Sequence, residues 1–192
     1  MSYCAYCADL PPDNPHRCYH DHEYGFPLAD DNRLFERLVL EINQAGLSWE
    51  TILHKADNLR RAYDGFDIAT VAAYGEADTA RLLADPGIIR NRLKINASIK
   101  NARIIRQLQA EHGSFRAWLD AQIAPDKAAW VKLFKKTFTF TGGEITGEFL
   151  MSSGYLPGAH QPDCPVYPRI LAARPRWLVR ASDPALDTAH LA

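Results

Sequence analysis

The chain has 192 residues, 47% of them hydrophobic, with 22 Lys+Arg against 23 Asp+Glu for a formal net charge of −1. This suits one domain whose core needs no disulfide framework, and it excludes a uniformly basic protein. No apolar run approaches the roughly 20 residues of a membrane span, and Met1-Ser-Tyr-Cys-Ala-Tyr lacks the basic and apolar regions of a signal peptide, so a soluble, cytoplasmic protein is expected.

In chain order, the first thirty residues hold Cys4, Cys7 and Cys18 and the dense run Tyr19-His20-Asp21-His22-Glu23-Tyr24-Gly25. From Asp31 the pattern turns helical. Leu34, Phe35, Leu38, Val39 and Ile42 follow a helical spacing behind the acidic caps Asp30 and Asp31. Gly46 should stop that helix and Ser48 cap the next, with Trp49, Ile52, Leu53 and Ala56 as its apolar stripe. Asp67 is read as the cap of a short helix ending near Tyr74, and Glu76 to Ala84 as another helix. Pro86-Gly87 then break the chain before a long helix from Arg92 to Glu111, with Ile95, Ile99, Ala102, Ile105 and Leu108 inward. Ser114 and Asp126 are caps for Phe115 to Ile123 and for a segment with Trp130, Leu133 and Phe134. Phe138-Thr-Phe-Thr-Gly-Gly alternates like a strand but is too short and isolated to be more than a connector. Glu144 to Ser153 should be helical, and the Pro-rich stretch after Gly154 irregular. The expected fold class is all-α.

The small net charge hides a segregation. Residues 1–50 carry nine acids against three bases, whereas 87–110 carry Arg90, Arg92, Lys94, Lys100, Arg103 and Arg106 and no acid. A solvated helix face explains such a block without a partner, but a block of one sign is also what a phosphate backbone requires.

Cys-x-x-Cys beside histidines in an intracellular protein suggests metal chemistry more than a disulfide. Cys4, Cys7, Cys18 and His20 form a local Cys₃His set, which spacing alone favours. Cys4, His20, His160 and Cys164 form a second set, drawn from both ends of the chain. Either offers the four thiolate and imidazole donors of a tetrahedral zinc site.

Glu41-Ile-Asn-Gln-Ala-Gly-Leu-Ser-Trp49 places a carboxylate, an amide, a glycine turn, an apolar tip and an indole within nine positions. Glu41 falls near the inward face of its helix, where a carboxylate is costly without hydrogen bonds or a cation. It is either a structural acceptor of local N–H groups or a ligand-reading group. Trp49 and Tyr19 are equally open as core aromatics or as platforms.

Together, Tyr19 to Pro27, Leu40 to Trp49, Gly87-Ile-Ile-Arg-Asn-Arg-Leu-Lys-Ile95 and His160-x₃-Cys164 resemble the 3-methyladenine DNA glycosylase I family, of the helix-hairpin-helix glycosylase superfamily. The resemblance covers the chain to about Pro168. It implies a helix-hairpin-helix glycosylase fold for residues 1–168, whose termini are joined by one structural zinc on Cys4, His20, His160 and Cys164. Residues 169–192, with Arg169, Arg174, Arg176 and Arg180, have no evident counterpart and are read as an extension, flexible or touching DNA. Glu41, Tyr19 and Trp49 are implied to act on a flipped base, with Tyr6 and Tyr24 also lining its site. Gln44, Gly46 and Leu47 would fill or wedge the DNA. Gly87, Ile88, Ile89, Arg90, Arg92 and Lys94 would form a hairpin donating backbone N–H groups to a phosphate. The implied activity is monofunctional excision of 3-methyladenine-type alkylated purines from double-stranded DNA, by base flipping and hydrolysis of the N-glycosidic bond without lyase chemistry, by a monomer. The alternative is a lesion-binding protein of the same fold with weak or no excision. Tyr6 and Tyr24 stand where the family commonly has Trp, and Phe138 to Tyr155 departs from its usual wording.

Overall fold

A computed structural model describes residues 2–124 and 126–181. Twelve α-helices are present among the described residues: α1 (Tyr3–Ala8), α2 (Pro15–His22), α3 (Asp31–Gln44), α4 (Trp49–Ala62), α5 (Ile68–Ala73), α6 (Glu76–Ala84), α7 (Arg92–His112), α8 (Phe115–Ala121), α9 (Lys127–Thr137), α10 (Gly143–Ser152), α11 (Tyr167–Ala172) and α12 (Arg176–Ala181). No described residue is in a strand, so the all-helical expectation holds, and Phe138 to Gly142 is a connector as read. The chain divides into two compact units, one made of both terminal segments (through Leu28 and from Gly147) and one of residues 29–146.

The central unit is organised by helix periodicity and caps. Ser48 and Asp67 accept N–H bonds from Thr51 and Thr70 at the starts of α4 and α5, and Ser114 and Asp126 do the same for Ala117 and Ala129 at α8 and α9. Leu34, Phe35, Leu38, Val39 and Ile42 of α3 are buried, as are Ile95, Ile99, Ala102 and Ile105 of α7. Phe115, Trp118, Phe134 and Phe138 form an aromatic cluster with edge and stacked contacts of 5.1–6.3 Å.

Two carboxylates fasten this unit over long sequence separations. Asp31 accepts from the Phe115 and Arg116 amides at the start of α8 and from Gln109 Nε2. Buried Glu36 receives Arg60 through both Nε and Nη2, and Arg33 as well. A carboxylate out of water is stable only with such charge-assisted donors.

The terminal unit is built from shorter pieces. Its helices α1 and α2 were not visible in the apolar pattern, because six- and eight-residue helices complete too few turns to display a period. Pro15 at the first position of α2, behind the Asn14 cap, was the available signal. A small core of Cys164, Val166 and Ile170 packs with Cys4, Phe26, Tyr167 and Trp177. Pro168, the expected boundary, lies in α11, and residues 169–181 carry the remainder of α11 and all of α12; residues 182–192 of the expected extension lie outside the described residues. Arg169 lies over the Phe26 ring at 5.4 Å and donates to the Asp21 carbonyl.

Candidate active site and metal centre

In the terminal unit, Cys4, His20, His160 and Cys164 bring their ligand atoms within 4.8 Å of one another. Cys164 Sγ is 3.5 Å from His160 Nδ1 and 3.7 Å from His20 Nε2, and Cys4 Sγ is 3.8 Å from His160 Nδ1. Zinc bonds of about 2.3 Å to sulfur and 2.0 Å to nitrogen place S and N ligands about 3.5 Å apart on a tetrahedron. The donor set therefore fits a tetrahedral ion.

Each imidazole is oriented by its other nitrogen. His20 Nδ1 faces Asp21 Oδ1 at 2.7 Å, and His160 Nε2 faces the Tyr24 carbonyl at 2.8 Å. Both arrangements turn the remaining nitrogen inward, as outer partners of metal-ligating histidines do. Burial holds the His160 pKa below its ordinary value, favouring the neutral ring that a metal binds. Burial raises the Cys4 thiol, a direction that a bound dication would reverse.

The spacing preference for a local Cys₃His set is corrected here. Cys7 is buried with its thiol directed to the His16 carbonyl, and burial pushes it up to about 11. Cys18 is exposed and directs its thiol to the Pro12 carbonyl. Spacing could not reveal this, because α2 turns Cys18 and His20 to different sides of one short helix.

The tyrosines of this unit cluster. Tyr19 and Tyr24 have ring centroids 5.5 Å apart, Tyr3 meets Tyr24 edge-on at 5.6 Å, and Tyr3 and Tyr6 stack at 6.3 Å. Tyr19 is buried, whereas Tyr6 is 41% exposed. The Tyr24 hydroxyl donates to Glu148 Oε2. Tyr3 and Glu148 were not singled out in the sequence; neither lies in a motif with a spacing of its own.

The central unit holds the other group of expected residues. Glu41 is 4% exposed, within the last turn of α3, and Trp49 is half-buried at the first position of α4. Between them the chain makes a tight turn. Gly46 has φ +79°, a left-handed conformation that favours glycine, although a Cβ there would meet nothing within 4 Å. Leu47 N–H donates to the Gln44 carbonyl at 2.7 Å, and Gln44 Nε2 donates to the Leu47 carbonyl at 3.2 Å. Leu47 is left 39% exposed at the tip.

The expected hairpin is the connection from α6 to α7. Asp85 Oδ1 accepts from Gly87 N–H, and Asn91 Oδ1 accepts from the Leu93 and Lys94 amides. Lys55 Nζ and Asn58 Nδ2 both donate to the Gly87 carbonyl. Ile88 is buried, while Arg90 and Arg92 are exposed, Arg92 within 3.1 Å of Glu76. Two members of the basic block turn inward to carbonyls. Arg103 donates to Ala72 and Tyr74 at the end of α5. Lys94 is buried, with Nζ 2.8 Å from the Asn43 carbonyl and 2.6 Å from that of Ala45. The expectation for Lys94 concerned its backbone N–H, which donates to Asn91 Oδ1 at 3.2 Å; its ammonium is enclosed on protein carbonyls.

Residues 10–133 match the model of the family described as methyladenine glycosylase. A relative named DNA-3-methyladenine glycosylase 1, from Escherichia coli (strain K12), is 35% identical, the match covering 84% of this chain and 96% of that protein. The chain belongs to the methyladenine glycosylase family. The DNA-3-methyladenine glycosylase of Haemophilus influenzae (strain ATCC 51907 / DSM 11121 / KW20 / Rd) is 34% identical, over 77% of this chain and 89% of its own length. The solved 3-methyladenine DNA glycosylase I of Staphylococcus aureus, studied for its recognition of 3-methyladenine, superposes with a TM-score of 0.75 at 31% identity, covering 86% of this chain and 97% of that one. In this methyladenine glycosylase, then, the all-helical fold is that of the family. No helix among its described residues is long and apolar enough to cross a membrane.

Proposed function

We propose that this protein is a base-excision enzyme that hydrolyses the N-glycosidic bond of 3-methyladenine in double-stranded DNA. The observation that carries this reading is the match to proteins named DNA-3-methyladenine glycosylase along nearly their whole lengths, at 34–35% identity. Alkylation at N3 puts a positive charge on the purine and weakens its bond to the sugar. When the C1′–N9 bond breaks, the base leaves with the bonding electrons as neutral 3-methyladenine. Water supplies an oxygen to C1′ and releases a proton, leaving an abasic site. The main tasks of the protein are to extrude the nucleotide and to hold the cationic base.

Glu41 is assigned as acceptor from the exocyclic amine, a donor that distinguishes adenine. Its burial makes that bond stronger than it would be in water. Tyr19 and Trp49, with Tyr6 and Tyr24, are assigned to the face of the cationic ring. Gln44, Gly46 and Leu47 are assigned to the space the base vacates. The Leu47 tip supports that assignment, since an exposed leucine on a restrained turn suits insertion between base steps. Gly87, Ile88, Ile89, Arg90 and Arg92 are assigned to backbone phosphate. Zinc on Cys4, His20, His160 and Cys164 would supply structure alone, by tying together segments 140 residues and more apart in sequence. No lysine is assigned as a nucleophile, so cleavage of the strand is not expected.

The test is release of free 3-methyladenine from alkylated duplex DNA. Glu41→Gln, which keeps the shape but removes the charge, is expected to lower the rate about 10- to 100-fold, the size of a lost charged hydrogen bond. Absence of release by folded wild-type enzyme in excess over substrate would overturn the activity.

A further inference from the structure

Lys94 occupies a position that its own helix disfavours. Asn91 caps α7, so Lys94 lies in the first turn, where the helix dipole repels a cation. It is only 5% exposed, and burial lowers its pKa. The compensation comes from another helix. Nζ reaches the carbonyls of Asn43, in the last turn of α3, and of Ala45, its C-terminal cap. These belong to a helix end whose carbonyls lack intrahelical partners and carry partial negative charge.

The carbonyls that Lys94 holds flank Gln44 and immediately precede Gly46 and Leu47. Ala45 leaves α3 with ψ 116° and Gly46 turns the chain at φ +79°, so the direction of the Leu47 tip follows from how the Ala45 peptide is held. At its other end Lys94 belongs to the start of α7, directly after the connection whose Gly87 and Asn91 are fixed by Asp85 and the α7 amides. One ammonium thus joins the turn bearing Leu47 to the element bearing Arg90 and Arg92.

We propose that Lys94 is a positioning residue for base extrusion: it holds the Gln44–Leu47 turn at a set angle to the α6–α7 connection, so that gripping the backbone and inserting the leucine occur as one act. This rests on the activity and the wedge role proposed above. Removing the ammonium leaves α3 and the turn folded but lets the tip move, and extrusion from a paired duplex should suffer far more than hydrolysis of a base already unstacked.

The experiment compares Lys94→Met with wild type, with the circular dichroism spectrum and Tm recorded for both. On alkylated duplex the variant should release 3-methyladenine about 10- to 100-fold more slowly, the loss reached by removing charge-assisted hydrogen bonds. On an alkylated single-stranded oligonucleotide the change should be below about threefold, since no partner strand or paired stack must be opened. Binding to a duplex with an abasic-site analogue should keep the wild-type salt slope, whereas loss of a phosphate contact would lower it by about one. Equal losses on duplex and single strand, a reduced salt slope, or full duplex activity would each overturn the proposal. If wild type releases no base from either substrate, the activity reading fails separately. Fluorescence of 2-aminopurine placed in a duplex still decides about Lys94 in that case: a rise on wild-type binding that Lys94→Met keeps, or no rise with wild type, overturns the positioning role.

Discussion

The two units of this protein reach stability by different means. The central unit has helices of up to 21 residues, an aromatic cluster, and side-chain caps at most helix starts. The helices that lie wholly in the terminal unit have 6–8 residues, and its small core is centred on Cys164, Val166 and Ile170, beside four thiol and imidazole groups gathered in one place. Where burial is plentiful, polar groups serve to terminate and fasten helices. Where it is scarce, four thiol and imidazole groups that could hold a metal ion stand beside the small core, and the proposed zinc would take the place of burial.

Metal removal should break this comparison most visibly. Chelation, or Cys164→Ala, is expected to cost several kcal/mol in the terminal unit, given the scale of structural zinc binding. Hydrogen exchange should then accelerate in α1, α2 and α11 while α3 and α7 keep their protection. Uniform loss of protection would show that the units do not differ as described. Atomic analysis is expected to find one zinc per chain, lost in His160→Ala and retained in Cys7→Ser; the reverse pattern would restore the local set.

Next in size is the aromatic cluster of the central unit. Phe134→Ala, at a site with no exposure, should cost about 3–5 kcal/mol by chemical denaturation without loss of zinc. Loss of the metal in that variant would contradict the separation of the two sources of stability.

Asp31 sharpens the account of the central unit. Asp31→Ala deprives the Phe115 and Arg116 amides and Gln109 of their acceptor and should cost about 1–2 kcal/mol, the range of a lost cap. The smallest effect is expected at Asp67, whose carboxyl is held below its ordinary value by the Thr70 hydroxyl and amide. A depressed native pKa adds stability above the unfolded value of about 4 and loses it as pH falls through the native one. Urea midpoints measured from pH 5 to pH 3 should therefore fall slightly less for Asp67→Asn than for wild type. Identical slopes would remove Asp67 from the account.

Much of the central unit was legible because its helices are long enough to show a period and begin at Ser or Asp caps. Ser48, Asp67, Ser114 and Asp126 each cap where the sequence placed them. The inward placement of Glu41 was legible for the same reason. In the terminal unit the local order carried less, and spacing pointed to Cys7 and Cys18 where the fold selects His160 and Cys164.

The sequence by itself determined the helical class, the caps, the inward face of α3 and, through its motifs, the family. Each of these depends on residues within a turn or two of one another, where backbone geometry links sequence spacing to direction. Only the tertiary structure decided which four donors meet, that Asp31 caps a helix more than eighty positions away, and that Lys94 closes the end of α3 instead of facing solvent. These depend on groups brought together from distant parts of the chain, and a buried charge or thiol finds its partner only when the fold has placed that partner beside it.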